Sequence, residues 1–231
     1  YQMQTEALEA ALAQAQQKGV QVIAVVASAC STSTGSYDDL VAIADFCEKH
    51  GLWMHVDGAH GGAVVLSEKY KSLVEGIERA DSVIVDFHKM LLTPALSTAV
   101  VFRRGGDAYH TFHQRAQYLW DDPEAEEWFN SGKRTFECTK LMMALKTYTL
   151  LRSYGEDLFA AHLDYVHDLA RYFAHHLSEQ PDFEVAVEPQ SNIVCFRYVP
   201  PGSRREPAEL NALNGRLRRR MLEQGDFYIV Q

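Results

Sequence analysis

The sequence predicts an α/β fold, with a mostly parallel, helix-covered sheet in its first part and a smaller α/β domain toward its end. Three observations carry this. Short runs rich in β-branched and apolar residues recur at 20–27, 52–56, 82–85 and 98–102, each the length of a strand. Segments with apolar residues at helical spacing lie among them, and two of these end at a glycine. Strand and helix therefore alternate, the order in which crossover helices join parallel strands.

Each element follows from its own residues. Thr5 stands before Glu6 and an alternation of Ala and Leu that runs to Lys18, with Gly19 after it, which predicts a helix capped at Thr5 and stopped by the glycine. The 20–27 run has the apolar density of a strand buried on both faces, and 28–37 is a polar loop. Leu40, Val41, Ile43, Ala44 and Cys47 give 38–50 a helical face that Gly51 ends. Strands at 52–56, 82–85 and 98–102 follow, with His88, Lys89 and Pro94 between the last two. From Arg103 to Arg134, glycines, histidines and acidic residues show neither period, so a long mobile excursion is predicted, of a length usual for functional lids or disordered segments. Long helices are predicted over 136–151 and 155–177, strands over 183–187 and 193–198, and a helix over 207–223. A boundary near residue 150 then divides a large domain, 1–150, from a small one, 151–231.

Composition narrows the partners. A formal net charge of −9 disfavours a phosphate backbone as ligand, so a small molecule is the better partner than nucleic acid. No run of about 18 apolar residues is present to span a bilayer, and the first residues lack the pattern of a secretion signal, which predicts a cytoplasmic protein without membrane attachment. Cys30, Cys47, Cys138 and Cys195 are far apart and form no CxxC pair, so reduced thiols are expected. The chain opens on Tyr1 and closes on an apolar Phe227–Val230 run that reads as a strand in progress, so a fragment of a longer protein is expected.

Three segments place reactive groups just after predicted strands, where open α/β sheets bind ligands. They are Ser31-Thr32-Ser33-Thr34-Gly35, Asp57-Gly58-Ala59-His60-Gly61-Gly62 and His88-Lys89. A pyridine aldehyde cofactor needs a lysine amine for its Schiff base and a carboxylate to keep its ring nitrogen protonated as electrons flow into the ring. Lys89 and Asp57 can supply these.

The stretch Leu52-Trp53-Met54-His55-Val56-Asp57-Gly58-Ala59-His60-Gly61-Gly62, then Gly76-Ile77-Glu78-Arg79-Ala80-Asp81-Ser82, then Asp86-Phe87-His88-Lys89-Met90, resembles the group II pyridoxal 5'-phosphate (PLP)-dependent decarboxylases. That family includes the glutamate, aromatic L-amino-acid and 2,4-diaminobutyrate enzymes. The resemblance implies a PLP-dependent transferase fold of type I and a homodimer whose sites are shared between subunits. It implies that Lys89 holds the cofactor, Asp57 pairs with the pyridinium nitrogen, and Ala59 lies against the ring. It also implies that His88 hydrogen-bonds the phosphate and that Thr32 sits near the phenolic oxygen and the substrate carboxylate. Tyr118 matches the loop tyrosine that returns a proton in the partner's site. Gly58, His60 and the Ala29-Cys30-Ser31 run depart from the family's commoner residues and bear on substrate choice.

The function expected is α-decarboxylation of an L-amino acid, with glutamate or 2,4-diaminobutyrate favoured. Aminotransferase or desulfurase chemistry on the same fold is the alternative, as is a non-catalytic fragment. Other readings of these residues rank lower. His55, Asp57 and His60 lack the further ligand a metal site needs, Gly61-Gly62 reads as close packing at a turn, and Cys30 as a small buried filler. Arg134 is a candidate anion partner before the 136–151 helix.

Overall fold

The computed structural model describes residues 1–114, 122, 125–137, 140–202, 206–225 and 227–230. The described chain divides into two compact units, Tyr1–Ser31 with Ser36–Asp164, and Thr32–Gly35 with Tyr165–Gln231.

In the first unit, helix α1 (Leu8–Gln17) follows a single 3-10 turn at Thr5–Ala7. Thr5 thus lies inside the turn, and no side chain caps its start, because the turn's own backbone already supplies the first bonds. The glycine stop is as expected. Gly19 has φ +70°, its N–H donates to Gln16 O at 2.9 Å, and Val20 N–H donates to Ala15 O at 2.9 Å, the pair of bonds that closes a helix over a left-handed glycine. Those bonds also explain why strand β1 (Ala24–Ser28) starts later than its β-branched run predicts: Val20 is used to leave the helix. Nor is β1 buried on both faces, since Ala27 is fully buried while Val26 is 56% exposed.

Helix α2 (Leu40–His50) is capped by Asp39, whose Oδ1 accepts from Ala42 N–H at 3.0 Å, and ends on Gly51 at φ 62°. Its buried side, Leu40, Ile43, Ala44 and Cys47, belongs to the same core as Ala27, Met54 and Val56 of the sheet. Strands β2 (Trp53–Asp57), β3 (Ser82–Asp86) and β4 (Thr98–Phe102) complete a four-stranded sheet of order β1-β2-β3-β4. The first three are parallel and β4 is antiparallel to β3, with Asp86 opposite Thr98. This is the mostly parallel α/β sheet that the strand–helix alternation predicts.

The 103–134 excursion is not wholly irregular. Helix α3 (Gly105–Thr111) lies within it, seven residues that two leading glycines hide from any sequence period. Phe112, just after it, meets Phe102 and Phe136 edge-on, at ring centroid distances of 6.4 and 5.0 Å. Phe136 is therefore outside the helix predicted for 136–151; α4 spans Ala144–Tyr154.

In the second unit, strands β5 (Phe183–Val185) and β6 (Phe196–Tyr198) form an antiparallel pair, and a side chain of α6 (Pro207–Gln224) bonds the backbone of β6. Asn214 accepts from Tyr198 N–H and donates to Tyr198 O, both at 2.9 Å. Helix α5 (Asp157–Ser178) crosses the division between the units. The final apolar run carries no strand over residues 227–230; Ile229 O accepts from Arg218 Nε–H at 2.7 Å.

Candidate active site

The carboxyl edge of the parallel strands is assembled from backbone contacts between loops. Ala29 N–H donates to Asp57 O at 2.8 Å, and Gly61 N–H donates to Ala29 O at 2.9 Å, which ties the loop after β2 to the end of β1. A Cβ on Gly61 would lie 2.5 Å from the Tyr37 hydroxyl and 2.8 Å from Cys30 N, so close packing requires the glycine. Gly58 is constrained in the same way, with Ile84 O 2.9 Å from where its Cβ would be. Cys30 is buried under Tyr37, whose phenol is raised above its ordinary range by burial and then by Cys30. This is the environment of a filler rather than of a nucleophile.

Asp57 ends β2 with its side chain exposed, and among the described residues its carboxylate has one hydrogen bond, from Ala59 N–H at 3.2 Å. Ala59 in turn accepts from Asp86 N–H at 3.2 Å, so the loop carrying Asp57 is joined to the end of β3. There the chain turns. Lys89 N–H donates to Asp86 O at 3.3 Å, Phe87 N–H to Ser97 O at 2.9 Å, and Met90 and Leu91 are buried beneath the turn. The Lys89 side chain is left 39% exposed, with Nζ 2.9 Å from Asp86 Oδ2.

His88 is held by the backbone of Ser97, whose carbonyl lies 2.9 Å from Nδ1 and whose N–H lies 3.1 Å from it. Either tautomer is satisfied there, and with the N–H as donor, Nε2 carries the ring proton and becomes a donor itself. Asp86 has no role in the sequence reading beyond opening the Asp86–Met90 motif, yet it is the hub of this turn. Burial alone would raise its carboxyl, but the Thr98 hydroxyl, the Lys89 ammonium and His88 outweigh that and hold it below the ordinary range. The available signal was its place, three residues before the lysine at the end of a strand.

The donor set fits PLP: an exposed amine for its aldehyde, an exposed carboxylate for its ring nitrogen, and an imidazole donor for its phosphate, on neighbouring strands of one edge. Comparison with known proteins decides the family. Residues 1–199 match the family described as "Pyridoxal-dependent decarboxylase conserved domain". The chain belongs to the pyridoxal-dependent decarboxylases.

Within that family it is 32% identical to human cysteine sulfinic acid decarboxylase over 98% of this chain and 48% of the relative. It is 35% identical to L-2,4-diaminobutyrate decarboxylase of Acinetobacter baumannii over 87% of this chain and 39% of the relative. The crystal structure of mouse CSAD superposes with a TM-score of 0.90 at 31% identity, covering 99% of this chain and 49% of that one. The chain thus spans about half the length of the curated relatives it matches. These structures bear out the type I fold expected of a PLP-dependent decarboxylase.

Of the residues marked out by sequence, the structure brings Asp57, Ala59, His88 and Lys89 to one edge. Thr32 is exposed and belongs to the second compact unit with Gly35, where Ser191 and Ile193 occupy the space a Gly35 Cβ would need. Tyr118 lies outside the described residues. Arg134 donates to Trp128 O at 2.7 Å and stands over the Tyr109 ring, so it is engaged locally. Among the described residues no group of three or more His, Cys, Asp or Glu side chains is placed to hold a metal ion. No described helix is long and apolar enough to cross a membrane.

Proposed function

We propose that this chain carries the cofactor lysine and the ring-nitrogen carboxylate of a PLP-dependent α-decarboxylase acting on a small polar L-amino acid. The observation that carries the reading is the joining of the Asp57 loop to the Lys89 turn by the Asp86–Ala59 hydrogen bond, at the carboxyl edge of adjacent parallel strands. When bound, PLP supplies an electron sink for the pair released as the bond to the carboxylate breaks.

The chain's own residues set the conditions for that chemistry. Asp57 keeps the ring nitrogen protonated, and its exposed carboxylate has only the Ala59 N–H to share itself with among the described residues. Lys89 presents its amine from a turn fixed by buried Met90 and Leu91. His88, oriented by Ser97, donates to the phosphate, and Ala59 lies against the ring. Thr32 lies near the cofactor's phenolic oxygen, and Tyr118 returns the proton to the substrate carbon across the interface of a homodimer. In this reading residues 1–150 form the cofactor-binding domain, 151–231 the small one, and the enzyme is cytoplasmic.

Glutamate or 2,4-diaminobutyrate is the favoured substrate, because His60 stands where an aromatic residue would suit an aromatic acid. The similarity to enzymes named for cysteine sulfinic acid and diaminobutyrate supports a small polar side chain. A match to the Catharanthus roseus tryptophan decarboxylase structure at 21% identity speaks to the fold alone. The test is an absorbance band at about 420 nm in protein mixed with PLP, as a lysine-linked pyridoxal gives, and its loss in Lys89→Ala. Carbon dioxide release is then measured across glutamate, 2,4-diaminobutyrate, cysteine sulfinate and tryptophan. A band without carbon dioxide release from any of them would overturn the decarboxylase reading, and release from tryptophan above the rest would overturn the substrate class.

A further inference from the structure

Asp86 has two oxygens with separate tasks. Oδ1 accepts from the Thr98 hydroxyl at 2.5 Å, a contact fixed by the antiparallel ladder that sets Asp86 opposite Thr98. Oδ2 faces the Lys89 ammonium at 2.9 Å and lies 3.8 Å from His88 Nε2. The aspartate side chain is 12% exposed, so the pair is anchored on its acidic side and open on its lysine side. Other lysine pairs in the unit differ. In Lys49–Glu9 at 2.8 Å both side chains are more than half exposed, and the second partner of the Glu9 carboxylate is His50, at 3.0 and 3.1 Å, at the end of α2 rather than at the carboxyl edge of the sheet.

We propose that Asp86 is the positioning residue for Lys89: locked by Thr98, it holds the Lys89 amine in an ion pair at the carboxyl edge and keeps it from reacting until a cofactor aldehyde is in place. An amine engaged in an ion pair must leave the carboxylate and give up a proton before it can attack a carbonyl. Among the described residues, the charged and titratable groups in contact with Asp86 are Lys89 and His88, both on its own turn; β4 contributes the uncharged Thr98. The meaning of this role rests on Lys89 being the cofactor lysine, but the contact itself needs no cofactor.

The experiment is therefore done on the full chain stripped of cofactor, with an amine-acylating probe and mass spectrometry to read Lys89 labelling against Lys49 as the internal reference. At pH about 8, Asp86→Asn is expected to label Lys89 several-fold faster, and Thr98→Val faster by a smaller factor, with the Lys49 rate unchanged. The gap is expected to narrow as the labelling pH is raised well past the ordinary lysine value of about 10.4. Thr98→Val leaves Asp86 in place, so it reports if Asp86→Asn proves poorly folded by circular dichroism. Equal Lys89 labelling in wild type and both variants overturns the proposal. So does a gap that persists at high pH, which marks simple shielding. Because no cofactor is present, this result stands apart from the 420 nm test, whose failure would remove the decarboxylase reading instead.

Discussion

The two ends of the parallel sheet hold the same kinds of side chain and use them in opposite ways. At the amino end, Arg79 reaches Glu48 at 2.7 and 3.0 Å and Asp45 at 2.7 Å. Arg103 meets Asp81 at 2.6 Å, and the other Asp81 oxygen accepts from Met54 N–H at 2.9 Å. Cys47 lines the same cleft, where burial, helped by Asp81 and Glu48, pushes its thiol up to about 11 and leaves it inert at neutral pH. At the carboxyl end, among the described residues, Asp57 is exposed with a single short-range bond, and Lys89 leans on one carboxylate. Charges that satisfy one another hold strands in register; charges left available do chemistry.

Substitutions at the two ends test that contrast. Asp57→Ala is expected to have the largest effect, lowering carbon dioxide release by about a hundredfold to a thousandfold while cofactor still binds, since a preorganised charge at the ring nitrogen is lost. Steady-state rates and the 420 nm band check the two halves of that statement, and near-wild-type turnover would break the comparison. Gly61→Ala comes next. Its methyl group would meet the Tyr37 hydroxyl and Cys30 N within 2.8 Å, and overpacking of this kind costs about 1–3 kcal/mol, read as a lower unfolding midpoint.

The Asp86 carboxyl titrates below its ordinary 3.8, so the folded state binds its proton more weakly than the unfolded chain does. The stability this contributes is fully present above pH 3.8 and is lost as pH falls through the lowered value. The difference in unfolding midpoint between wild type and Asp86→Asn should therefore shrink below that pH and stay constant from there through neutral pH. Arg103→Ala is expected to be smallest, about 1 kcal/mol or less of stability with decarboxylation unchanged, because its partner keeps the Met54 bond. A large loss of turnover there would erase the distinction between the two ends.

Much of this was legible because local signals and tertiary roles agreed. The strands at Trp53–Asp57 and Ser82–Asp86 and the helix between Asp39 and Gly51 were readable to within a residue or two, since short apolar runs and capping residues mark their ends. The antiparallel direction of β4 was not, because side-chain alternation carries no sense of direction. The helix expected from Phe136 begins only at Ala144, because Phe136, Leu141 and Met142 are all exposed and offer no buried face against which an earlier start could pack. At the site, Asp57 and Lys89 were readable from their motifs. Asp86 was not, because its role depends on the register that brings Thr98 across from it.

The central claim is that Lys89, on the turn joined to the Asp57 loop, is the residue that binds the cofactor. Reduction of the PLP-treated protein with borohydride, followed by proteolysis and mass spectrometry, tests it directly. The account predicts a pyridoxyl group on Lys89, in the peptide containing Asp86-Phe87-His88-Lys89-Met90, and none at the ion-paired Lys49. A label carried by another lysine, or spread evenly over the exposed ones, would contradict it.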